Sequence, residues 1–271
     1  MPIRALHSSV MAKFGENDRF WSSMFEGNNR LRFERPVDEA SKQWWIKKFY
    51  ETFDLTPEGM ADRITRSAPG EKSIAYHFID AAKESFSLRI DGDFPGSQEF
   101  WFAHRELDLK GSAFNAEGMD ISDAMQGRGY GRALMGDLVD TGKLIGIDSI
   151  RLRAERVGRY VWVKMGFLPT GDAWRQMKLE AYDFILTHRA LLAAKATELL
   201  NRVHDGGPDM VRTLASIEVE VPSRDVPARF SPKLMPFGKA FFLEAASPWN
   251  GSLDLRDDAS MRLVESYRQK R

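Results

Sequence analysis

The chain has 271 residues, 43% apolar and 11% aromatic, with 39 lysines and arginines against 39 aspartates and glutamates. This composition excludes a chain disordered throughout and any collagen-like repeat, and at roughly 150 residues per domain it suits one domain with extensions or two small ones. The balanced charge carries no footprint of a nucleic-acid or anionic-membrane partner, and the absence of cysteine removes disulfides, thiolate nucleophiles, iron–sulfur clusters and cysteine-ligated zinc.

Taken in chain order, Met1 to Phe14 lacks the continuous apolar region of a secretory signal, and no later stretch approaches the roughly 20 apolar residues that cross a bilayer. A cytoplasmic protein is expected. An aromatic-rich segment, Phe20 to Phe25, leads to the alternating run Leu31-Arg32-Phe33-Glu34, a short strand candidate. From Asp38 to Phe53, Ala40, Trp44, Trp45, the Lys48 stem, Phe49 and Phe53 recur at helical spacing behind an Asp38 N-cap, and Thr56-Pro57-Glu58 opens another helix. Ser73 to Phe78, Glu84 to Ile90 and Gln98 to Leu109 are rich in β-branched and aromatic residues and read as antiparallel strands, with Asp91-Gly92-Asp93 as a turn signal. In the next strand, Ala113 to Ile121, a two-residue period puts Asn115, Glu117, Met119 and Ile121 on one face.

Beyond Gly171, apolar positions from Trp174 to Val203 fit one long helix or two shorter ones, which Gly206-Gly207-Pro208 ends. A strand candidate at Ser216 to Val221 follows, then a loop with Pro222, Pro227, Pro232 and Pro236, an apolar run from Ala240 to Leu243 and a last helix from Ala259 to Gln269. The histidines His7, His77, His104, His188 and His204 form no H-x-x-x-H pair or other zinc spacing, so no metal is expected.

The segment that carries chemistry is Gln126-Gly127-Arg128-Gly129-Tyr130-Gly131-Arg132, between the Ala113 to Ile121 strand and a helical stripe of Leu134, Met135, Leu138 and Val139. A strand, a glycine turn and a helix gather unpaired N–H groups at a helix N-terminus, where the dipole adds roughly 0.3–1 kcal/mol per anionic group. Glycine lets phosphate approach the backbone and adopts φ > 0 without strain, and Arg128 and Arg132 add charge. The spacing fits neither the P-loop nor the dinucleotide fingerprint, and a plain tight turn is the competing reading.

Gln126-x-x-Gly129-x-Gly131 resembles the Q/R-x-x-G-x-G/A coenzyme A motif of the GNAT N-acyltransferase superfamily. Further on, a strand candidate at Ser149 to Ala154 precedes Tyr160-Val161-Trp162-Val163-Lys164-Met165-Gly166-Phe167, which is similar to the helix and Gly-Phe ending of that fold. The resemblance covers residues 73–170. It implies an α+β (α/β) fold with a mixed, mostly antiparallel central sheet flanked by helices. Residues 1–72 are expected to form a mainly helical extension packed on this core, and residues 171–271 a helical and strand extension expected to contribute to the substrate site.

Carried over by position, the resemblance implies that Gln126 and Gly127 belong to the coenzyme site and that the amides of Arg128, Gly129, Tyr130, Gly131 and Arg132 hold the pyrophosphate of an acyl-CoA. The edge of Met119 to Ile121 would bond the pantetheine arm, and the strand would splay from its neighbour to leave a cleft where thioester meets amine. Glu117 lies on the face turned toward that cleft and is the candidate general base, although a charged strand residue more often sits on a solvated face. An amine with a pKa near ~10.4 is neutral in only about one molecule in a few thousand at pH 7, and attack on a thioester needs the neutral form. Asp120, expected on the other side of the strand, and Asp123, in the turn, are the alternatives.

The chain departs from the family where many members carry an asparagine and a tyrosine, since Glu155 and Trp162 occupy those positions. Indole cannot protonate a thiolate leaving group, and Tyr160, two positions earlier, points roughly 200° away on a helix. Trp162 therefore reads as core packing. The expected function is N-acylation, foremost acetylation, of a small-molecule, peptide or protein amine by direct attack. The rivals are a longer-chain acyltransferase acting on a peptide or natural-product precursor, a catalytically inactive binding module of the same fold, and an RNA-acylating enzyme using Arg151, Arg153, Arg156 and Arg159.

Overall fold

The computed structural model describes residues 21, 23–223 and 234–269, so His7, Phe20, Pro227, Pro232 and the Met1 to Phe14 stretch lie outside the described residues. The chain divides into two compact units between Asp148 and Ser149, each a mostly antiparallel sheet flanked by helices.

In the first unit β1 (Leu31–Phe33) runs parallel to β2 (Lys72–Asp80), and β3 (Ser85–Asp93), β4 (Phe100–Asp108) and β5 (Ala113–Ile121) continue as an antiparallel meander. Helix α1 (Glu39–Trp45) starts where Asp38 caps it, accepting from the Ser41 N–H at 2.7 Å, and α2 (Pro57–Ile64) where the Thr56 hydroxyl accepts from Gly59 N–H. The expected unbroken helix to Phe53 instead widens into a π-helical turn at Ile46–Tyr50, and the buried stripe is Ser41, Trp45, Ile46 and Phe49, leaving Ala40 and Lys48 exposed. Trp45, Phe49, Tyr76 and Phe86 pack ring against ring on one face of the sheet, and a buried ring of this kind is worth roughly 3–5 kcal/mol against alanine. Along β4 the period of two is visible: Trp101, Ala103, Arg105 and Leu107 are buried, while His104, Glu106 and Asp108 are half-buried on the opposite face.

Two strand expectations need correction. Asp91-Gly92-Asp93 is the end of β3 and not a turn, because the Trp101 indole lies over Gly92, where a Cβ would sit 2.4 Å from the ring. In β5 the register passes from His104↔Gly118 to Glu106↔Asn115, so two residues, Ala116 and Glu117, oppose Arg105 alone. This bulge breaks the alternation: Asn115 pairs with Glu106 and Met119 with Ala103, so Asn115 and Met119 lie on opposite faces. Helix α3 (Tyr130–Ile145) follows and buries Leu134, Met135, Leu138 and Val139. Its buried Asp137 accepts from the Ser67 N–H at 2.5 Å and the Ser67 hydroxyl at 2.9 Å, holding the turn after α2.

In the second unit β6 (Ser149–Ala154) precedes α4 (Gly158–Lys164) and the two-residue β7 (Leu168–Pro169). The stretch expected as one helix or two is α5 (Gly171–Thr187), a short turn at Arg189–Leu192 and α6 (Lys195–Asp205), which stops at Gly206. Then come α7 (Met210–Ala215) and β8 (Glu220–Pro222), shorter than expected, paired with β9 (Leu234–Pro236). The run Ala240 to Leu243 is helical, with Phe237, Phe241 and Phe242 fully buried. Next, β10 (Trp249–Asp254) pairs antiparallel with both β6 and β7. Gly251 belongs there because a Cβ would meet the Trp249 ring at 2.2 Å and the Leu168 carbonyl at 2.7 Å. Helix α8 (Asp258–Gln269) comes last among the described elements.

Candidate functional site

The glycine junction is built in the first unit. After β5 a single 3₁₀ turn, Asp123–Met125, brings the chain to Gln126, whose amide Nε2 donates to the Ile121 carbonyl at 2.8 Å and to Asp123 Oδ1 at 2.9 Å. The motif glutamine thus closes the turn back onto the strand. Gly127 at φ +76° and Gly129 at φ +88° are both left-handed, a conformation costing other residues roughly 1–2 kcal/mol. Gly129 caps α3, and the first rung runs from Ala133 N–H to the Gly129 carbonyl, so the amides of Tyr130 and Gly131 lie ahead of the helical ladder.

Around this turn the space is open. A Cβ on Gly127 would meet nothing within 4 Å, and one on Gly129 would meet only the Arg132 guanidinium, at 2.8 Å. Arg132 therefore lays positive charge against the turn, while Arg128 is exposed beside it. Gly131 serves packing instead, because a Cβ there would sit 3.1 Å from Met119 Cε and 3.6 Å from Ile121 Cδ1, and its smallness seats α3 on the strand. The Tyr130 ring packs on Phe94 with centroids 4.8 Å apart.

Glu117 is exposed at the bulge. Its charge acts on His104 and Glu106, whose side chains lie on the face opposite Ala103 and Met119. Burial pushes the Glu106 carboxyl up, and the neighbouring Glu117 and Asp108 charges push it further. Burial pulls His104 down, with His77 acting in the same direction and Glu117 opposing. The Ser87 hydroxyl lies 2.9 Å from His104 Nε2, and the His77 and His104 rings meet edge to face. Asp120 pairs with Phe102, on this same His104 side, and accepts from the Ile121 N–H at 3.0 Å; Asp123 is engaged by Gln126.

The structure brings Met119, Ile121, Gln126, Gly127, Gly129, Tyr130, Gly131 and Arg132 to one strand–turn–helix corner. Sequence reasoning took His104 only as one of five scattered histidines and passed over Ser87 and Arg105, although the period of two along β4 already places Arg105 among apolar residues. In the second unit Trp162 packs on Phe167 with centroids 5.9 Å apart, and Glu155 accepts from Arg153 at 2.8 Å. Burial raises the Tyr160 hydroxyl, with the Glu218 charge adding to it. Arg159 of the basic cluster donates to the Leu243 and Ala246 carbonyls. Among the described residues no three His, Asp or Glu side chains are placed to hold a metal, and no helix is long and apolar enough to cross a membrane.

Comparison with known proteins gave no match to any family model and none to a curated protein. Among solved structures, the crystal structure of nourseothricin acetyltransferase is similar over 35% of this chain and 55% of its own length, at 22% identity and a TM-score of 0.28. The likeness is local: the matched segment spans about half of that enzyme.

Proposed function

We propose that the chain is an N-acyltransferase of the GNAT kind, which moves an acyl group, foremost acetyl, from a coenzyme A thioester to an amine. The observation that carries this reading is the open glycine corner. It combines two left-handed glycines, a glutamine closing the turn, amides ahead of the α3 ladder and the Arg132 guanidinium alongside. Such a corner suits a pyrophosphate, because N–H groups and a helix dipole converge beside a cationic side chain rather than a packed one.

In this reading the amides from Arg128 to Arg132 and the side chain of Arg128 hold the diphosphate, while the Met119 to Ile121 edge orients the pantetheine arm. Bound acyl-CoA supplies the electrophilic carbonyl. Glu117 takes the proton of the attacking amine as the N–C bond forms, and the C–S bond then breaks to release the thiolate. With Trp162 in the usual acid's place, the leaving thiolate takes its proton from water. Small-molecule, peptide and protein amines are all candidate acceptors, and the absence of cysteine suits a reducing cytoplasm.

The test is titration with acetyl-CoA and longer acyl thioesters, followed by transfer assays on a panel of amines. A null across all thioesters overturns the reading. Binding without transfer reduces it to a coenzyme-binding module. Glu117→Gln keeps shape and hydrogen bonding but cannot take the proton. It is expected to leave acetyl-CoA affinity unchanged and to lower kcat/KM at pH 7 by roughly 10²–10⁴, with partial recovery as pH rises toward the amine's own pKa. A loss under about threefold across pH 6 to 9, with transfer limiting the rate, would remove Glu117 as the base.

A further inference from the structure

Arg105 is a cation among apolar side chains. It is 1% exposed, on the same face of β4 as Trp101, Ala103 and Leu107, and among the described residues no carboxylate pairs with it. Its Nη1 donates to the carbonyls of His104 at 2.8 Å and Gly118 at 2.7 Å, whereas Nε and Nη2 have no partner. Burial alone pulls the guanidinium down to about 10. A buried charge with two neutral acceptors and three idle N–H groups is a poor source of stability, and a methionine would fill much of the space without the desolvation cost.

What the guanidinium has is its position. His104 and Gly118 are the paired residues immediately beside the bulge, and Arg105 itself is the single residue opposite Ala116 and Glu117. One side chain thus ties a carbonyl on each strand at the point where the ladder loses its register. A slip of one residue exchanges the faces of a strand. The register held here sets where Glu117 stands on β5, at the bulge and opposite Arg105.

From this placement we propose that Arg105 is a positioning residue for Glu117: by bridging the His104 and Gly118 carbonyls it locks the β5 bulge and fixes the place from which the Glu117 carboxylate works. The proposal builds on the reading of Glu117 as the base, but its test does not need turnover. His104 serves as the reporter. Around it stand His77 from β2, Ser87 and Arg89 from β3, the adjacent Arg105, and Glu117 from β5, which alone among these charged groups favours the imidazolium.

The experiment is a double-variant cycle on the whole chain, with the His104 titration followed by the NMR signal of its ring proton. In an otherwise unchanged chain, Glu117→Gln is expected to move the His104 titration downward, because a favourable negative charge is removed. In an Arg105→Met background the same substitution is expected to move it little, because the carboxylate no longer holds its place. Comparing the two differences cancels the direct effect of losing the Arg105 charge. Arg105→Gln, with a single shorter amide donor, is expected to fall between the two and serves alone if the methionine variant does not fold. Undiminished coupling between Glu117 and His104 in either folded variant overturns the proposal.

A second arm reads the reaction. Arg105→Met is expected to lower kcat toward the level of Glu117→Gln while acetyl-CoA affinity stays unchanged, and the double variant to lose nothing further. Fully multiplicative losses overturn the link to Glu117. If the unsubstituted chain binds no acyl thioester, the acyltransferase reading falls while the NMR cycle still decides whether Arg105 holds the bulge.

Discussion

Two glycines belong to two motifs in this chain and do opposite work. Gly129 and Gly166 have similar left-handed φ angles, +88° and +94°. At Gly129 an added Cβ would meet only the end of an arginine side chain, whereas at Gly166 it would meet the backbone of Ser260, 2.8 Å from the carbonyl oxygen and 3.2 Å from Cα. The second junction is clamped as well. Arg212 Nη2 donates to the Gly166 carbonyl at 3.3 Å and to the Ser260 hydroxyl at 2.5 Å, and that hydroxyl donates to Asp257 at 2.6 Å. Similar φ angles therefore hide unequal reasons: one glycine leaves room beside a movable arginine, and the other lets a helix close upon it.

The comparison is sharpened most by Gly129→Asp. If the open corner receives a diphosphate, an anion placed there is expected to abolish acetyl-CoA binding, a loss beyond about 100-fold, with the circular dichroism spectrum unchanged. Stability should fall by only about 1 kcal/mol, since aspartate tolerates the left-handed region comparatively well. Unchanged affinity in the folded variant would mean that the gap has no ligand of this kind.

Gly166→Ala is the counterpart. Left-handed strain and collision with the Ser260 backbone together are expected to cost roughly 2–4 kcal/mol in urea unfolding, without selective loss of coenzyme affinity once the protein is folded. A loss under about 1 kcal/mol would show that α8 yields easily and that the junction is not clamped.

The closed junction should also respond to acid. Hydrogen bonds from the Ser260 hydroxyl and N–H hold Asp257 down to about 2, from an ordinary 3.8. A depressed carboxylate stabilises the fold above its unfolded pKa and loses that contribution as pH falls through its folded one. The stability gap between the chain and Asp257→Asn should thus be constant above about pH 5 and close progressively toward pH 2. A gap independent of pH would assign the effect to packing.

The smallest effect is expected at Gly131→Ala. Helix propensity favours alanine by about 1 kcal/mol, which offsets the crowding of the pliable Met119 and Ile121 side chains, so the net change in stability should stay within about 0.5 kcal/mol.

The corner was legible in sequence because its information is local: glutamine and glycines at fixed spacing, a strand before and a helical stripe after. The helix caps Asp38 and Thr56 were legible for the same reason. The bulge was not, since an extra residue in β5 shows only against its partner strand, and a strict period of two put Asn115 on the wrong face. Gly92 misled in the same way. Glycine between two aspartates is a turn signal on its own, yet here it makes room for the Trp101 indole, which only the folded chain brings near. Arg105 lay in plain view on an apolar stripe, but no spacing rule reveals that its partners are two carbonyls.

The border of the first sheet bears on how the protein behaves when crowded with its own copies. The outer strand β1 is only three residues long, carries the exposed Arg32, and is followed by Glu34, Arg35 and Pro36, all exposed. A short, charged border ending at a residue without an N–H offers few free rungs to an incoming strand. This edge resists cross-strand aggregation, so removing Arg32 and Pro36 together would expose the chain to sheet-to-sheet growth without altering either glycine junction.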